Sequence, residues 1–391
     1  MPTVQTSRRP GSAADAVAGV VPREVVRPRN AAEVAAVLRD TAGSVVAVGG
    51  RTKLGWCPPP TSCDLVLETG ALDRVVEHTA GDLVVVAEAG LALSALQEQL
   101  AAAGQMLALD PPEQGATLGG IVSANASGPR RLRYGTARDL LIGVSVVLAD
   151  GNTAKAGGKV VKNVAGYDLG KLYTGAHGSL GVVVSTTWRL HPLPRATGAV
   201  VREVADAAEA GRFALLLARS TLTPTAVELV GETGGPLQLT VLFESIPESV
   251  SAQAAQAVAL LGSGQFRDGV PDRFGERPQG DVVLRMAHVA GALPQVLQAL
   301  PVGARVTSSA CTGVMYAALD ADAAGTVELT GLRAAVRPYD GSVVVLDAPE
   351  QLRAGLDHWG PVGDALPLMR RVKNRFDPGQ RLSPGRYVGG I

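Results

Sequence analysis

The sequence predicts an α+β fold that is divided into two parts. The chain has 391 residues, of which 46% are hydrophobic, so it can form about two to three domain cores. Between Pro22 and Pro194, short apolar runs typical of buried strands stand between amphipathic helical patterns. After Pro194, helical patterns alternate with short strands, which predicts an antiparallel sheet that carries helices on one face.

The first part, residues 22–194, follows an N-terminal tail and short segment at 1–21. Asn30 can cap a helix from Ala31 to Asp40, because its side chain accepts hydrogen bonds from the first turn. A second helix is predicted from Leu91 to Ala103. The predicted strands are Ser44–Val48, Leu65–Leu67, Leu83–Val86, Leu140–Leu148 and Val182–Leu190.

The second part, residues 195–391, combines helices and strands of similar length. The predicted helices are Ala205–Arg219, Pro247–Leu261 and Met369–Phe376. The predicted strands are Ala226–Val230, Leu237–Phe243, Val282–Met286 and Ser342–Leu346. The segment Gly262–Gly280 is rich in Gly, Pro and charge, so we expect a loop there.

Composition excludes several classes of function. The 36 basic residues equal the 36 acidic ones and aromatic residues make up 4%, which argues against nucleic-acid binding. The three cysteines contain no CxxC pair, so neither a disulfide framework nor an iron–sulfur or zinc ligand set is expected. No apolar run reaches transmembrane length, and we expect a cytoplasmic protein.

A first glycine loop, Val48–Leu54, follows a predicted buried strand. Gly49 and Gly50 permit positive φ, so consecutive main-chain N–H groups can converge on an anion such as a pyrophosphate. Arg51 and Lys53 add positive charge, and Thr52 adds a hydroxyl. An ordinary strand-to-loop turn would also explain these residues.

Two further segments are rich in small residues. In Thr117–Asn125, small side chains would let the backbone lie against a ring system, although tight packing in a turn is the alternative. The segment Gly175–Val183 lacks the GxG of a dinucleotide fingerprint, and His177 is interpreted as a loop histidine. Few of these residues could do acid–base work, which indicates that a bound organic cofactor carries the redox chemistry.

In their order along the chain, these motifs identify a family resemblance. The GGRTKL loop, the TLGG and RYG segment and the GSLGVVV segment together resemble the FAD-binding domain of the vanillyl-alcohol oxidase / para-cresol methylhydroxylase (PCMH) superfamily. Within it, the KNVAGYD motif at Lys162–Asp168 is similar to that of one class of FAD-binding subunit in bacterial glycolate oxidases. The ending Val372–Gly379 with Ser383–Arg386 resembles their last motif, although Ser383 replaces the usual Asn.

The resemblance implies a fold and a set of cofactor contacts. The fold would be a PCMH-type FAD-binding domain of two α+β subdomains, followed by an α+β cap domain with an antiparallel sheet and a C-terminal segment that returns to the FAD domain. Because Arg51 stands where relatives with covalent flavin carry His, we expect non-covalent FAD. The implied FAD-binding residues are Val48, Gly49, Gly50, Arg51, Thr52, Lys53, Leu54, Pro111, Thr117, Leu118, Gly119, Gly120, Ser123, Asn125, Gly135, Gly181, Val182 and Val183.

The resemblance also implies a function and partners. The chain would be the FAD-binding subunit of a glycolate-oxidase-type complex that oxidises small 2-hydroxy acids by hydride transfer to flavin N5. A second flavoprotein subunit and an iron–sulfur subunit would be its partners, and the assembly could dock on the inner membrane. The alternatives are a stand-alone FAD-dependent dehydrogenase or oxidase of another alcohol or hydroxy acid, and a non-catalytic assembly or electron-relay subunit.

The catalytic residues are not evident from the sequence. The histidine-rich metal motif found in many flavin 2-hydroxy-acid dehydrogenases is missing, so no metal is expected. His288 is the histidine that fits a position over a flavin, and Arg285 or Arg333 could bind a carboxylate. A half-buried strand histidine and solvated arginines are the alternative interpretations.

Overall fold

The computed structural model describes residues 7–159, 168–320, 329–353 and 355–391, and these fall into two compact units. The first unit comprises the described residues of Met1–Ser127, Thr136–Leu193 and Pro361–Ile391. The second comprises Gly128–Gly135 and the described residues of Pro194–Gly360. The KNVAGYD motif lies outside the described residues up to position 167, so the structure gives no account of it.

The first unit begins with a four-stranded mixed sheet. Its spatial order is β1-β2-β4-β3, in which β1 and β2 are antiparallel and the other pairs are parallel. The strands are β1 (Arg8–Pro10), β2 (Glu24–Val26), β3 (Val45–Val48) and β4 (Leu65–Glu68). Helix α1 (Ala31–Asp40) connects β2 to β3, and the Asn30 side chain accepts a hydrogen bond from the Glu33 amide, as expected of an N-cap.

A five-stranded antiparallel sheet forms the other layer of the first unit, in the order β5-β6-β10-β8-β9. These strands are β5 (Val75–Thr79), β6 (Val84–Glu88), β8 (Leu141–Val147), β9 (Thr153–Gly157) and β10 (Val182–Arg189). A short antiparallel pair joins β7 (Gln105–Met106) to β11 (His191–Pro192). The helices that accompany this sheet are α2 (Leu93–Ala101), α3 (Leu118–Ala124), α5 (Ala137–Leu140) and α6 (Gly170–Tyr173).

The second unit contains one eight-stranded antiparallel sheet, in the order β15-β12-β14-β13-β17-β18-β16-β19. Its strands are β12 (Ala196–Val204), β13 (Ala226–Glu232), β14 (Leu237–Ser245), β15 (Gln265–Asp268), β16 (Val282–Ala287), β17 (Arg305–Ser309), β18 (Val314–Leu319) and β19 (Ser342–Asp347). The antiparallel sheet that the sequence predicts is therefore present.

The helices of the second unit pack into one hydrophobic core with this sheet. Phe213 and Val250 from helices share that core with the strand residues Leu229 and Leu284. The helices are α4 (Arg131–Tyr134), α7 (Ala207–Arg219), α8 (Pro247–Leu261), α9 (Leu293–Ala299), α10 (Leu329–Val336) and α11 (Glu350–Arg353). Near the end of the chain, α12 (Leu366–Phe376) belongs to the first unit.

Two sequence predictions are wrong in detail. The predicted N-terminal tail contains β1, which pairs with β2 and is held by two hydrogen bonds of 2.7 Å from Arg9 to Asp15. The predicted loop at Gly262–Gly280 contains the edge strand β15, which pairs with β12. The small residues after Thr117, for which packing in a turn was the alternative interpretation, form helix α3, and the Thr117 hydroxyl caps it.

In the ranges that the structure describes, no helix is long and apolar enough to cross a membrane.

Candidate functional site

A cleft in the first unit gathers most of the residues that the motifs single out. It is bounded by the loop after β3, the first turns of α3 and the start of β10. Fourteen of the eighteen expected cofactor residues line it, namely Val48, Gly49, Gly50, Arg51, Thr52, Lys53, Leu54, Thr117, Gly119, Gly120, Ser123, Gly181, Val182 and Val183. Segments that are far apart in sequence therefore meet at one place.

The two glycines of the first loop allow it to pack closely against the second segment. A Cβ atom at Gly49 would lie 2.3 Å from the Thr117 hydroxyl, and one at Gly50 would lie 2.0 Å from the Gly115 carbonyl oxygen. Arg51 adopts a positive φ of 58°, which turns the chain sharply after the glycines. The loop conformation therefore depends on the lack of side chains at positions 49 and 50.

The same loop offers main-chain donors. The N–H groups of Gly50, Arg51 and Thr52 make no hydrogen bond to another group in the part of the chain that the structure describes. Three successive amides that protein groups do not satisfy are suited to an anionic ligand with several acceptor oxygens. This donor set fits a pyrophosphate.

The two basic side chains of the loop are paired with carboxylates. Arg51 lies 3.2 Å from Glu68 and 3.8 Å from the buried Asp15. Lys53 lies 3.5 Å from Glu113, and both side chains are largely buried. The sequence suggests that these cations add net positive charge, but the carboxylates offset much of it.

Helix α3 leaves open space beside its N-terminal turn. The Thr117 hydroxyl accepts a hydrogen bond of 3.4 Å from the Gly120 amide and so caps the helix. A Cβ atom at Gly120 would meet one neighbouring side-chain atom within 4 Å, the Thr117 hydroxyl at 3.2 Å. Because Gly120 lines the cleft, this glycine leaves room in the cleft and is not needed for protein packing there.

Four expected residues do not line the cleft. Leu118 is fully buried beneath α3, and Pro111 is half-buried outside the cleft. Gly135 belongs to the second unit. Asn125 ends α3 in a left-handed conformation, and its buried Oδ1 has no hydrogen-bond partner among the described residues. This acceptor can therefore take a hydrogen bond from a group beyond the described residues.

Several cleft residues are not among those that the sequence identifies. Cys57, His177, Ser383 and Arg386 all line it, and the Cys57 sulfur lies 3.0 Å from Nδ1 of His177. Burial raises the pKa of the Cys57 thiol to about 11, so this thiol is protonated at neutral pH. Ser383 and Arg386 belong to the C-terminal motif Ser383–Arg386, and this motif is the sequence feature that could have identified them as cleft residues.

The catalytic candidates lie in the second unit. His288 is 7% exposed, its Nδ1 is 2.8 Å from the Val289 carbonyl oxygen, and burial lowers its pKa. Its buried Nε2 has no partner among the described residues. Arg285 is half-buried on β16, and residues three apart along an extended strand point to opposite faces. The structure therefore does not bring Arg285 and His288 together.

Arg333 is held by its own unit. Its guanidinium donates to the Val343 carbonyl oxygen at 3.2 Å and to the Asp357 carboxylate at 3.2 Å. These contacts hold the Arg333 side chain within the second unit and give it a structural role. Within the described ranges, no group of three His, Cys, Asp or Glu side chains is placed to hold a metal ion.

Comparison with known proteins identifies the first unit. Residues 22–157 match the family model described as an FAD binding domain. The glycolate oxidase component GlcE from Escherichia coli is 39% identical over 132 residues, which is 33% of this chain and 38% of that protein. A D-lactate dehydrogenase from Archaeoglobus fulgidus is 32% identical over 258 residues, 61% of this chain and 57% of that protein. The chain thus spans between a third and three fifths of these relatives.

Solved structures share the fold over nearly the whole chain. A structure of p-cresol methylhydroxylase with substrate bound has a TM-score of 0.72 and 15% identity, covering 94% of this chain and 89% of that one. An alkyldihydroxyacetonephosphate synthase has a TM-score of 0.70 and 16% identity, covering 94% and 78%. These structures confirm the predicted PCMH-type α+β fold, and the family model confirms the resemblance of residues 22–157 to an FAD-binding domain.

Proposed function

We propose that this chain, which has a PCMH-type fold, is an FAD-dependent oxidoreductase that acts on the CH–OH group of 2-hydroxy acids. The proposal starts from the match of residues 22–157 to an FAD-binding domain. The observation that carries this proposal is the glycine-lined cleft of the first unit. Its relatives support the substrate class, since they include a D-lactate dehydrogenase and a D-2-hydroxyglutarate dehydrogenase. The reaction class is thus oxidation of a secondary or primary alcohol beside a carboxylate.

The working form that we propose is an FAD-binding subunit of a glycolate-oxidase-type complex. Two relatives are themselves named as subunits of glycolate oxidase, one from Escherichia coli and one from Bacillus subtilis. In this proposal a second flavoprotein subunit and an iron–sulfur subunit receive the electrons. The stand-alone enzyme and the electron-relay subunit are the alternatives that the experiment below separates.

The first loop and α3 are proposed to hold the cofactor. The amides of Gly50, Arg51 and Thr52 would donate to the pyrophosphate, and the open side of Gly120 would admit a flat ring system. Gly181 and the following residues of β10 would offer main-chain groups to the adenine side. When bound, FAD supplies the hydride acceptor, N5, that oxidation of the substrate at C2 requires.

The flavin is proposed to be dissociable. Arg51 occupies the first loop, and the Cys57 thiol in the cleft is a weak nucleophile because burial keeps it protonated. His177 already contacts that thiol through Nδ1. We therefore expect acid precipitation of the purified protein to release its yellow chromophore into the supernatant.

His288 stays a candidate for the base that takes the hydroxyl proton. Its lowered pKa favours the neutral imidazole, and Nε2 is the nitrogen that could accept a proton. Arg285 stays a candidate for the substrate carboxylate, which a guanidinium can bind through two hydrogen bonds.

An anaerobic titration of the FAD-loaded chain tests the proposed function. We expect glycolate or a D-2-hydroxy acid such as D-lactate to bleach the flavin absorbance, either alone or after a partner subunit is added. Bleaching without partners, followed by turnover with a dye acceptor, would favour the stand-alone enzyme. A flavin that no hydroxy acid reduces, with or without partners, would contradict the proposed activity.

A further inference from the structure

We propose that Arg386 is a positioning residue for the pyrophosphate of FAD, because it holds the first glycine loop in its binding conformation. This inference rests on the proposed function, because it assumes that FAD is the occupant of the cleft. It extends that function to a part of the chain more than 200 residues beyond the segment that matches the FAD-binding family model, which ends at position 157.

The Arg386 side chain joins the two ends of the segment that follows the first loop. It is 4% exposed and lines the cleft. One terminal nitrogen donates to the Leu54 carbonyl oxygen at 2.8 Å, and the other donates to the Pro58 carbonyl oxygen at 3.1 Å. Since a guanidinium is planar and rigid, these two bonds fix both the path of the chain after Leu54 and the plane of the charged group.

The backbone that carries Arg386 is itself attached to the strand that precedes the loop. The Val45 amide donates to the Arg381 carbonyl oxygen at 2.8 Å, and the Ser383 amide donates to the Val45 carbonyl oxygen at 2.9 Å. Val45 opens β3, and Val48 at the end of β3 leads into the glycine loop. The Thr61 amide further donates to the Pro384 carbonyl oxygen at 3.0 Å. Residues 381–386 therefore follow β3 and reach the loop from its outer side.

A buried ion pair ties the opposite wall of the cleft to the same segment. The Lys373 ammonium donates to the carbonyl oxygens of Ser179 at 2.8 Å and Leu382 at 2.9 Å, and to the Asp377 carboxylate at 2.7 Å. Ser179 lies in the loop that leads to Gly181. Residues 373–386 thus support both main-chain walls of the proposed FAD site.

The described contacts of Arg386 add to those of the basic residues of the first loop. Arg51 and Lys53 each meet carboxylates, as described above. Arg386 is bonded to carbonyl oxygens and to the Cys57 thiol, which is neutral at pH 7 because burial raises its pKa to about 11. These contacts hold the guanidinium plane in the cleft wall, next to the residues that follow the first loop.

The experiment compares FAD with riboflavin, which has the same isoalloxazine ring and ribityl chain but lacks the pyrophosphate and the adenosine attached to it. Apoprotein of the full chain is titrated with FAD and with riboflavin, which has no phosphate, and binding is followed by flavin fluorescence. In Arg386→Gln we expect the Kd for FAD to rise about ten- to hundredfold, because the charge-assisted hydrogen bonds that hold the loop are lost and its amides are less well placed for the pyrophosphate. The Kd for riboflavin should change little. Arg386→Lys, which keeps the charge but not the planar fork, should give an intermediate loss for FAD.

Arg381→Gln is the matched control. Arg381 stands in the same segment and donates to carbonyl oxygens of Gly43, Ala149 and Leu38 at 3.0–3.2 Å, but it does not line the cleft. We expect it to lower stability without changing the ratio of the two dissociation constants. Should Arg386→Gln fail to fold, Arg386→Lys decides the matter by the same ratio.

The binding results distinguish a failure of the role of Arg386 from a failure of the proposed function. Equal losses for FAD and riboflavin, or no loss for either ligand, would overturn the role of Arg386 while the proposed function stands. A wild-type apoprotein that binds neither ligand would instead overturn the proposed function, and the inference would fall with it.

Discussion

The glycines of the cleft serve two different physical purposes. Gly49 and Gly50 are required by the protein itself, because a Cβ atom at either would lie within 2.3 Å of an atom of the neighbouring segment. Gly120 is not required in this way, since its Cβ would face open space beyond the Thr117 hydroxyl. A substitution at Gly50 therefore tests loop packing and ligand binding together, whereas one at Gly120 tests ligand binding alone.

Replacing Gly120 by leucine should prevent FAD uptake without unfolding the chain. Leucine is favoured over glycine inside a helix by up to about 1 kcal/mol, so α3 should gain stability while the side chain fills the cleft. Thermal unfolding and the flavin absorbance of the purified protein measure the two effects. Gly81→Leu is the control, since a Cβ atom there meets nothing within 4 Å and lies outside the cleft.

A Gly120→Leu protein that keeps one FAD per chain would show that the open side of α3 is not part of the cofactor site.

The interaction partners of charged residues could not be predicted from the sequence. The position of Arg51 and Lys53 in the loop is evident from the sequence, but their partners Glu68 and Glu113 are not. Arg386 shows the opposite case, because a motif contains it and yet nothing near it in sequence indicates the carbonyl oxygens of Leu54 and Pro58. Partners more than 300 residues away become known only from tertiary structure.

At the scale of elements, the short segment of residues 366–386 is structurally important. Helix α12 carries Lys373, which is 1% exposed, and Asp377, which is fully buried, follows it directly. Asp377 also accepts a hydrogen bond of 2.7 Å from the Leu382 amide. This pair fixes the turn that brings residues 381–386 against β3.

Breaking that pair from one side should be strongly destabilising. We expect Lys373→Met to lower the free energy of unfolding by about 3–5 kcal/mol, because it leaves the Asp377 carboxylate buried without its counter-ion. The double variant Lys373→Met/Asp377→Leu should recover part of the loss. Urea denaturation of the purified proteins measures both values.

The exposed pair formed by Lys171 and Asp168 provides the control. These side chains are 50% and 51% exposed and 3.4 Å apart, so Lys171→Met should cost no more than about 1 kcal/mol. Equal costs at the two sites would contradict the structural role of the buried pair.

Helix α3 shows why some elements were not predicted. Its sequence contains two adjacent glycines, which lower helix propensity by about 1 kcal/mol each, so the pattern did not indicate a helix. The Thr117 cap and the buried side chains of Leu118, Ile121 and Val122 outweigh that cost. Strand β1 was missed for a related reason, since its stability comes from β2 and Asp15 and not from apolar residues of its own.

At the scale of the whole molecule, the periodic patterns predicted the element types and the antiparallel sheet well. Helices α7 and α8 and the four predicted strands of the second unit, β13, β14, β16 and β19, lie within a few residues of their expected bounds. Strands β12, β15, β17 and β18 were not predicted. The sequence did not predict that Gly128–Gly135 belongs to the second unit. In that segment Arg130 makes a bidentate pair with the buried Glu244, an interaction across 114 residues that no local pattern encodes.

The central claim is that main-chain amides of a glycine loop in the first unit cradle FAD. Hydrogen–deuterium exchange of the apoprotein, measured with and without saturating FAD, tests it most directly. We predict one FAD bound per chain and slower exchange at the amides of Gly50, Arg51 and Thr52, which make no other hydrogen bond within the described residues. Binding of FAD that leaves the exchange of this loop unchanged, or a chain that takes up no FAD, would contradict the account.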